Sequence, residues 1–245
     1  MKILSYTNYS YFQLADSYVC YIEGELDYAV LELKPEGQKF NQTTQTKEIK
    51  VPPGLLKIFG KMPPNGEACL IGHPAGGLKK MDPTCIIEKE KREQAVRDYL
   101  HPYKDSLFIV HPIILHIKAQ GIDNIMMGGS RAENVATYPT FMYHGSSGSP
   151  VFDAHGRVFG LHAAGFDPGF PNHTESVTEF AQPLLTIFEH FVSKLKESGN
   201  EGLLKRVQKK AKGNPYLKRV FSSMGTCTDV SADSDEPMQT ELIVE

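Results

Sequence analysis

The chain has 245 residues, 40% of them hydrophobic and 22% charged, with a formal net charge of −3. That length holds one large domain or two small ones, and the apolar share excludes wholesale disorder. No apolar run reaches the roughly eighteen residues of a helical membrane span, the start MKILSYTNYSYF lacks the apolar core and cleavage site of a secretory signal, and near-neutral charge argues against nucleic acid as the main partner of the whole chain.

From Tyr18 to Leu33 the pattern predicts two strands around a turn. SYVCYIEG is β-branched and aromatic, GELD is the turn, and YAVLEL alternates in part before Lys34. Pro35 to Lys50 is polar and reads as a loop. VPPGLLKIFGKMPPNG is punctuated by Pro and Gly, as surface connections between short strands are. ACLIGHPAGG reads as a short strand ending in a glycine-rich turn. Residues 87–100, IEKEKREQAVRDYL, contain no Gly or Pro and predict a helix whose charges coat a solvated face. Residues 108–118, FIVHPIILHIK, predict strands around His111-Pro112.

Residues 137–151 read strand, glycine-rich turn, strand, and RVFGLHAAGF is a further strand. From Pro183 to Lys196, apolar residues recur at Leu184, Ile187, Phe188, Phe191, Val192 and Leu195. That is a helical stripe, with Pro183 suited to a first turn. Many short strands and one late helix indicate a mainly β barrel or sandwich. The four cysteines, Cys20, Cys69, Cys85 and Cys227, form no CxxC pair and read as free thiols of a reducing compartment. No metal-ligand spacing or nucleotide-binding loop occurs, so neither a metal nor another cofactor is implied.

After Gly199 the composition changes. Lys205, Arg206, Lys209, Lys210, Lys212, Lys218 and Arg219 fall within residues 205–219 without an acid, while residues 229–245 hold six Asp or Glu and no base. Residues 199–245 are therefore predicted to be a disordered or weakly helical tail. Within it, KRVQKKAK has three readings: a solvated helix face, a nuclear-import signal, or a weak nucleic-acid contact.

The segment most informative about chemistry is Tyr143-His144-Gly145-Ser146-Ser147-Gly148-Ser149-Pro150. A serine hydroxyl is a poor nucleophile until a base removes its proton, and it needs a tight turn that aims amide N–H groups at the developing oxyanion. Gly145 leaves room for its amide to face a substrate carbonyl, and Gly148 permits unusual dihedrals after the nucleophile. The run fits the G-x-S-G-x-P pattern of chymotrypsin-like peptidases, with Ser147 as nucleophile and the Gly145 and Ser147 amides as the oxyanion hole. A Ser/Gly-rich hairpin turn without chemistry is the competing reading. Upstream, Leu26-Asp27-Tyr28-Ala29-Val30-Leu31 is similar to the strand that carries the triad aspartate, whose buried carboxylate orients an imidazolium.

LDYAVLELK, LIGHPAGG, TYPTFMYHGSSGSPVFD and GLHAAGF together resemble the trypsin-like protease domain of the proteins called family with sequence similarity 111, from about Val19 to His190. The resemblance implies a chymotrypsin-like double β-barrel, intracellular and largely nuclear, tied to DNA replication and to the removal of proteins from DNA. It implies protein or peptide substrates, chromatin or replication-factor association, no membrane, and a nuclear location with the cytoplasm as second compartment. Asp27 and Ser147 carry over.

The family order is His, Asp, Ser. Here twenty-six residues precede Asp27 and none is histidine; all nine histidines follow it. His144 lies three residues before Ser147, on the oxyanion side of the turn, and His73 in GHPAGG is expected to shape a turn. The expectation is an N-terminally truncated enzyme: mainly β, with a partial N-terminal barrel to about residue 75, a C-terminal barrel over about 76–182, a terminal helix over 183–198, and the polar tail. Residues 1–198 would be the protease domain. A catalytically inactive domain that binds peptides or acts as a scaffold is the alternative.

Two residues bear on specificity. Phe141, six before Ser147, falls where trypsin-type enzymes place the acid at the floor of the primary pocket, which argues for apolar or aromatic rather than basic side chains. His162 and Gly165, in GLHAAG, are similar to the G-x-H-x-x-G strand of viral glutamine-specific proteases. His162 is either a hydrogen-bond donor in the pocket or a satisfied wall residue.

Overall fold

The computed structural model describes residues 10–22, 26–40, 46–51, 53–106, 108, 110–112, 134–142, 144–166 and 178–225. Strands dominate, in two antiparallel sheets. The first has the order β1–β2–β3, from Ser10–Ile22, Tyr28–Phe40 and Thr46–Lys50. The second takes β4 (Gly66–Gly72), β5 (Lys80–Ile86), β6 (Ala136–Tyr138), β7 (Pro150–Asp153), β8 (Val158–Phe166) and β9 (Thr178–Pro183) in the order β5–β4–β7–β8–β9–β6. Its two edges meet, because Ile87 N–H donates to Thr137 O at 2.7 Å and the two residues form an antiparallel bridge. That bridge closes the sheet into a barrel, which leaves no open edge at this point.

The mainly β, chymotrypsin-like expectation holds, with several local differences. Within the expected loop over Pro35–Lys50, residues 35–40 are the second half of β2 and 46–50 are β3; Glu36–Phe40 pair with β3 on one side while Gly37–Lys39 pair with β1 on the other. A polar strand on a two-sided ribbon shows no hydrophobic period, and its pairing is non-local. β5 contains Pro83, which lowers strand propensity, yet it runs in register from Gly66↔Ile86 to Gly72↔Lys80. The strands expected from Phe108 are contradicted at residues 108, 110, 111 and 112, which are helical, and Val110 N–H donates to Ser106 O. Residues 113–118, His116 among them, lie outside the described residues.

The barrel interior is filled by Leu70, Tyr138, Met142, Val151, Phe159 and Ala181, all fully buried. Of the helix predicted over 87–100 for its helix formers, α1 spans Arg92–Leu100, Ile87 is in the β-bridge instead, and Arg92 is not on a solvated face. It is buried, and donates from Nε to Thr137 Oγ1 and from an Nη to the Val135 carbonyl.

Helix α2 (Leu184–Glu197) follows β9 directly, with Pro183 at the N-cap rather than in the first turn. Its predicted stripe is its buried face, and five of the six residues divide between two clusters. Ile187, Phe191 and Leu195 pack on Tyr28 of the first sheet, with Ile22, Val30 and Leu161 around them. Phe188 and Val192 pack on Ala211, Leu217 and Phe221. Each large side chain so buried contributes about 1.5–3 kcal/mol, so a charge at Val192 would separate the elements that α2 joins.

The basic region is not a disordered tail. It forms α3 (Glu201–Ala211) and α4 (Pro215–Ser223), each started by an asparagine. Asn200 Oδ1 accepts from Leu203 N–H, and Asn214 Oδ1 accepts from the Tyr216 and Leu217 amides. The buried Asn214 also donates from Nδ2 to the carbonyls of Leu56, Lys57 and Phe59 at 3.1, 3.3 and 2.7 Å. The charges conceal an apolar face, because Leu204, Val207, Ala211, Leu217 and Phe221 face the core. Residues 226–245 lie outside the described region.

Candidate active site

The serine turn spans the gap between β6 and β7. Gly145 and Gly148 have φ of 79° and 83°, the left-handed region that only glycine adopts freely. A Cβ on Gly145 would lie 3.0 Å from Ala75 N and 3.2 Å from Ala75 Cα, so the turn is pressed against the loop after β4. That loop is shaped by its histidine, as expected: His73 Nδ1 bonds Gly77 O at 3.0 Å, and Ala75 takes φ of 52°. Ala75 N–H donates to His144 O at 2.7 Å.

On its other side the turn is clamped by β8. Gly148 N–H donates to His162 O at 2.7 Å, and His162 N–H to Ser149 O at 2.9 Å. Ser147 is exposed and its Oγ–H donates to Ala163 O at 2.9 Å. Ser146 is buried. Among the described residues, the Gly145 and Ser147 amides have no acceptor, which leaves both N–H groups available to an incoming oxyanion. The fold therefore brings together an accessible serine hydroxyl, two free amides and a strand edge.

Asp27 belongs to the other sheet. It precedes β2 with φ of 39° and is exposed. The buried setting expected for an orienting carboxylate is not found, and among the described residues Asp27 makes no hydrogen bond or ion pair. Its neighbour Tyr28 is buried instead, with the hydroxyl 2.9 Å from His190 Nδ1 and accepting a long contact from Cys20 Sγ.

The residues expected to bear on specificity are placed unequally. Phe141 is 47% exposed, with Lys80 Nζ 5.4 Å from its ring centroid, so it lies at the surface rather than on a pocket floor. Asp82 sets its direction, because one carboxylate oxygen accepts from both Thr140 Oγ1 and Phe141 N–H. His162 is fully buried. Its Nδ1 is 3.0 Å from the Tyr138 hydroxyl, and its Nε2 is 3.6 Å from Glu179 Oε2, beyond hydrogen-bond range. Burial pushes this imidazole down to about 4, against a smaller opposing effect of the Met142 backbone, so it is neutral near pH 7. Burial likewise raises the Tyr138 phenol, and the Glu179 charge adds to that. Gly165 pairs with Glu179 across β8 and β9, and the Glu179 carboxylate occupies the space that a side chain at Gly165 would need.

Tyr138, Glu179 and Asp82 were not singled out from the sequence. Each acts across strands distant in the chain, and no local signal marks such a partner.

An exposed serine between two left-handed glycines, on a six-stranded antiparallel barrel followed by helix α2, defines a chymotrypsin-like peptidase architecture. Residues 10–161 match the family model of the trypsin-like peptidase domain, and the chain belongs to that family. It is 32% identical over 165 residues to serine protease FAM111A of Mus musculus, covering 67% of this chain and 25% of the relative. It is 31% identical over 150 residues to serine protease FAM111B of Homo sapiens, covering 60% of this chain and 18% of the relative. The chain thus spans a quarter or less of the length of these curated relatives.

Proposed function

We propose that the protein is a serine endopeptidase that hydrolyses peptide bonds through an acyl-enzyme on Ser147. The observation that carries this reading is the serine turn itself. Ser147 Oγ is exposed, and the Gly145 and Ser147 amides are free among the described residues. In the reaction, Ser147 Oγ would attack the scissile carbonyl while a base takes its proton and the two amides hold the oxyanion. The C–N bond would then break with that proton passing to the leaving amine, and water would release the acyl group from Ser147. Asp27 would orient the base. Protein or peptide substrates follow from the family. A nuclear setting with the cytoplasm as second compartment, chromatin or replication-factor partners, and a role in DNA replication and DNA–protein crosslink repair are the finer parts of the proposal. They rest on the resemblance of the motifs alone.

A second reading, a peptide-binding or scaffold domain without catalysis, is favoured by two observations. The Ser147 hydroxyl donates to Ala163 O rather than to a histidine, and Asp27 is exposed. A fluorophosphonate probe separates the two. An adduct on Ser147, abolished in Ser147→Ala, supports the peptidase. A chain that stays unlabelled yet binds peptides ending in a free carboxylate at the serine turn supports the scaffold.

A further inference from the structure

Helix α3 carries a charge pattern that the catalytic reading does not use. At 100° per residue, Lys212, Lys205, Lys209, Arg206 and Lys210 fall in that order over about 160° of arc. Leu204, Val207 and Ala211 occupy the opposite side, against the core. All five cations are exposed, and on this side of α3 the single acid is Glu201, in the first turn. Lys205–Lys209 and Arg206–Lys210 are like-charge pairs at i,i+4, which destabilise a helix. Two of the five have partners: Lys205 with Glu201 at 3.5 Å and Arg206 with Glu32 at 3.6 Å. Among the described residues Lys209, Lys210 and Lys212 have none, nor do the exposed Lys218 and Arg219 of α4. Residues 202–225 hold seven cations and no acid; with the whole chain at −3, the remainder carries −10.

Six of those negative charges, Asp229, Asp233, Asp235, Glu236, Glu241 and Glu245, follow α4 within the same chain without one base among them. Their point of departure is fixed. Lys196 Nζ, near the end of α2, donates to Met224 O at 2.7 Å, so the chain leaves α4 beside the corner where α3 begins. From there, the seventeen residues 229–245 could span about 56 Å if extended. The eleven residues of α3 rise only about 16 Å. Attachment a few residues away raises the local concentration of such a segment to the millimolar range, so individually weak surface ion pairs suffice to hold it. A membrane surface is a poorer occupant, because the apolar side of α3 is already buried. A long nucleic acid would meet the negative remainder of the chain.

We propose that the cationic face of α3 is the docking surface for the chain's own acidic segment, residues 229–245. The segment neutralises the face, and an external polyanion must displace it. The test is zero-length carbodiimide cross-linking of the full chain, read by mass spectrometry, with the Lys194–Glu197 pair at 2.7 Å as internal control. Cross-links should join Lys205, Lys209, Lys210 or Lys212 to carboxylates in 229–245, persist over about a hundredfold dilution, and vanish at about 0.5 M salt. Control cross-links without these, or cross-links lost on dilution, would overturn the proposal.

A second measurement uses a labelled polyglutamate peptide. It should bind at least about tenfold more tightly when the six acids are replaced by Asn or Gln. It should bind neither chain after Lys209→Glu, Lys210→Glu and Lys212→Glu. Equal binding to the native and neutralised chains would mean an open face and would sink the proposal. So would a single-stranded oligonucleotide that binds both chains equally.

Discussion

The Tyr28 hydroxyl and His190 Nδ1, 162 residues apart, share a hydrogen bond of 2.9 Å, and their rings meet edge to face at 5.8 Å. The bond joins the strand that begins beside Asp27 to helix α2. It makes α2 a common support for both sheets. Tyr28→Phe keeps the ring and removes the bond, so a loss of about 0.5–1.5 kcal/mol is expected. Tyr28→Ala also empties the apolar cluster with Ile187, Phe191 and Leu195, for about 3–5 kcal/mol. Urea unfolding of both variants checks this, and equal losses would mean that the hydrogen bond carries the whole effect.

Gly145→Ala should damage the serine turn twice over. The residue has φ of 79°, and the new Cβ would press on Ala75 backbone at 3.0 Å. The expected cost is about 1–3 kcal/mol, with a fall of at least about tenfold in Ser147 acylation as the amide shifts. Gly148→Ala meets no neighbour within 4 Å and should cost only the backbone strain. Thermal melts paired with probe-labelling rates distinguish the two variants.

His162 should make stability depend on mild acid. Its folded value, about 4, lies below the ordinary one near 6.5 because burial disfavours the charged ring. The unfolded chain therefore binds the proton first as pH falls. Stability from this group is present above about pH 6.5 and declines down to about pH 4, by about 3 kcal/mol in all. Urea unfolding at pH 7.5, 6 and 5 should show that slope, and His162→Gln should flatten it.

Asp153 acts in a lower window. Burial alone would raise its carboxyl, but the Arg157 amide, the Arg157 side chain at 2.8 Å and the His155 amide outweigh burial and lower it. With the folded value depressed, its contribution is present above the usual carboxylate range and lost as pH falls through it. Asp153→Asn should cost about 1–3 kcal/mol at pH 7 and nothing near pH 2. Equal losses at both values would assign the effect to packing of the β7–β8 hairpin.

The sequence disclosed what chemistry or period demands of single residues. Gly145 and Gly148 stand where a left-handed turn requires glycine, and all six residues of the 184–195 stripe are buried. It concealed what depends on distant partners. The second half of β2 is polar and exists through pairing with β3. The apolar side of α3 and α4 was hidden by seven cations over residues 205–219. Phe141 was placed by counting from Ser147, but Asp82, fifty-nine residues earlier, turns it to the surface. Nothing near His162 announces Tyr138 or Glu179, which reach it from other strands.

Asn214 also sets a schedule for the newborn chain. The Phe59 carbonyl waits 155 residues for the amide that binds it, which at ribosomal rates of about 5–20 residues per second is about 8–30 s. The barrel strands are all synthesised before that amide emerges. The half-built protein must pass this interval with Leu56 and Phe59 uncovered, so pairing of the strands alone does not close the fold.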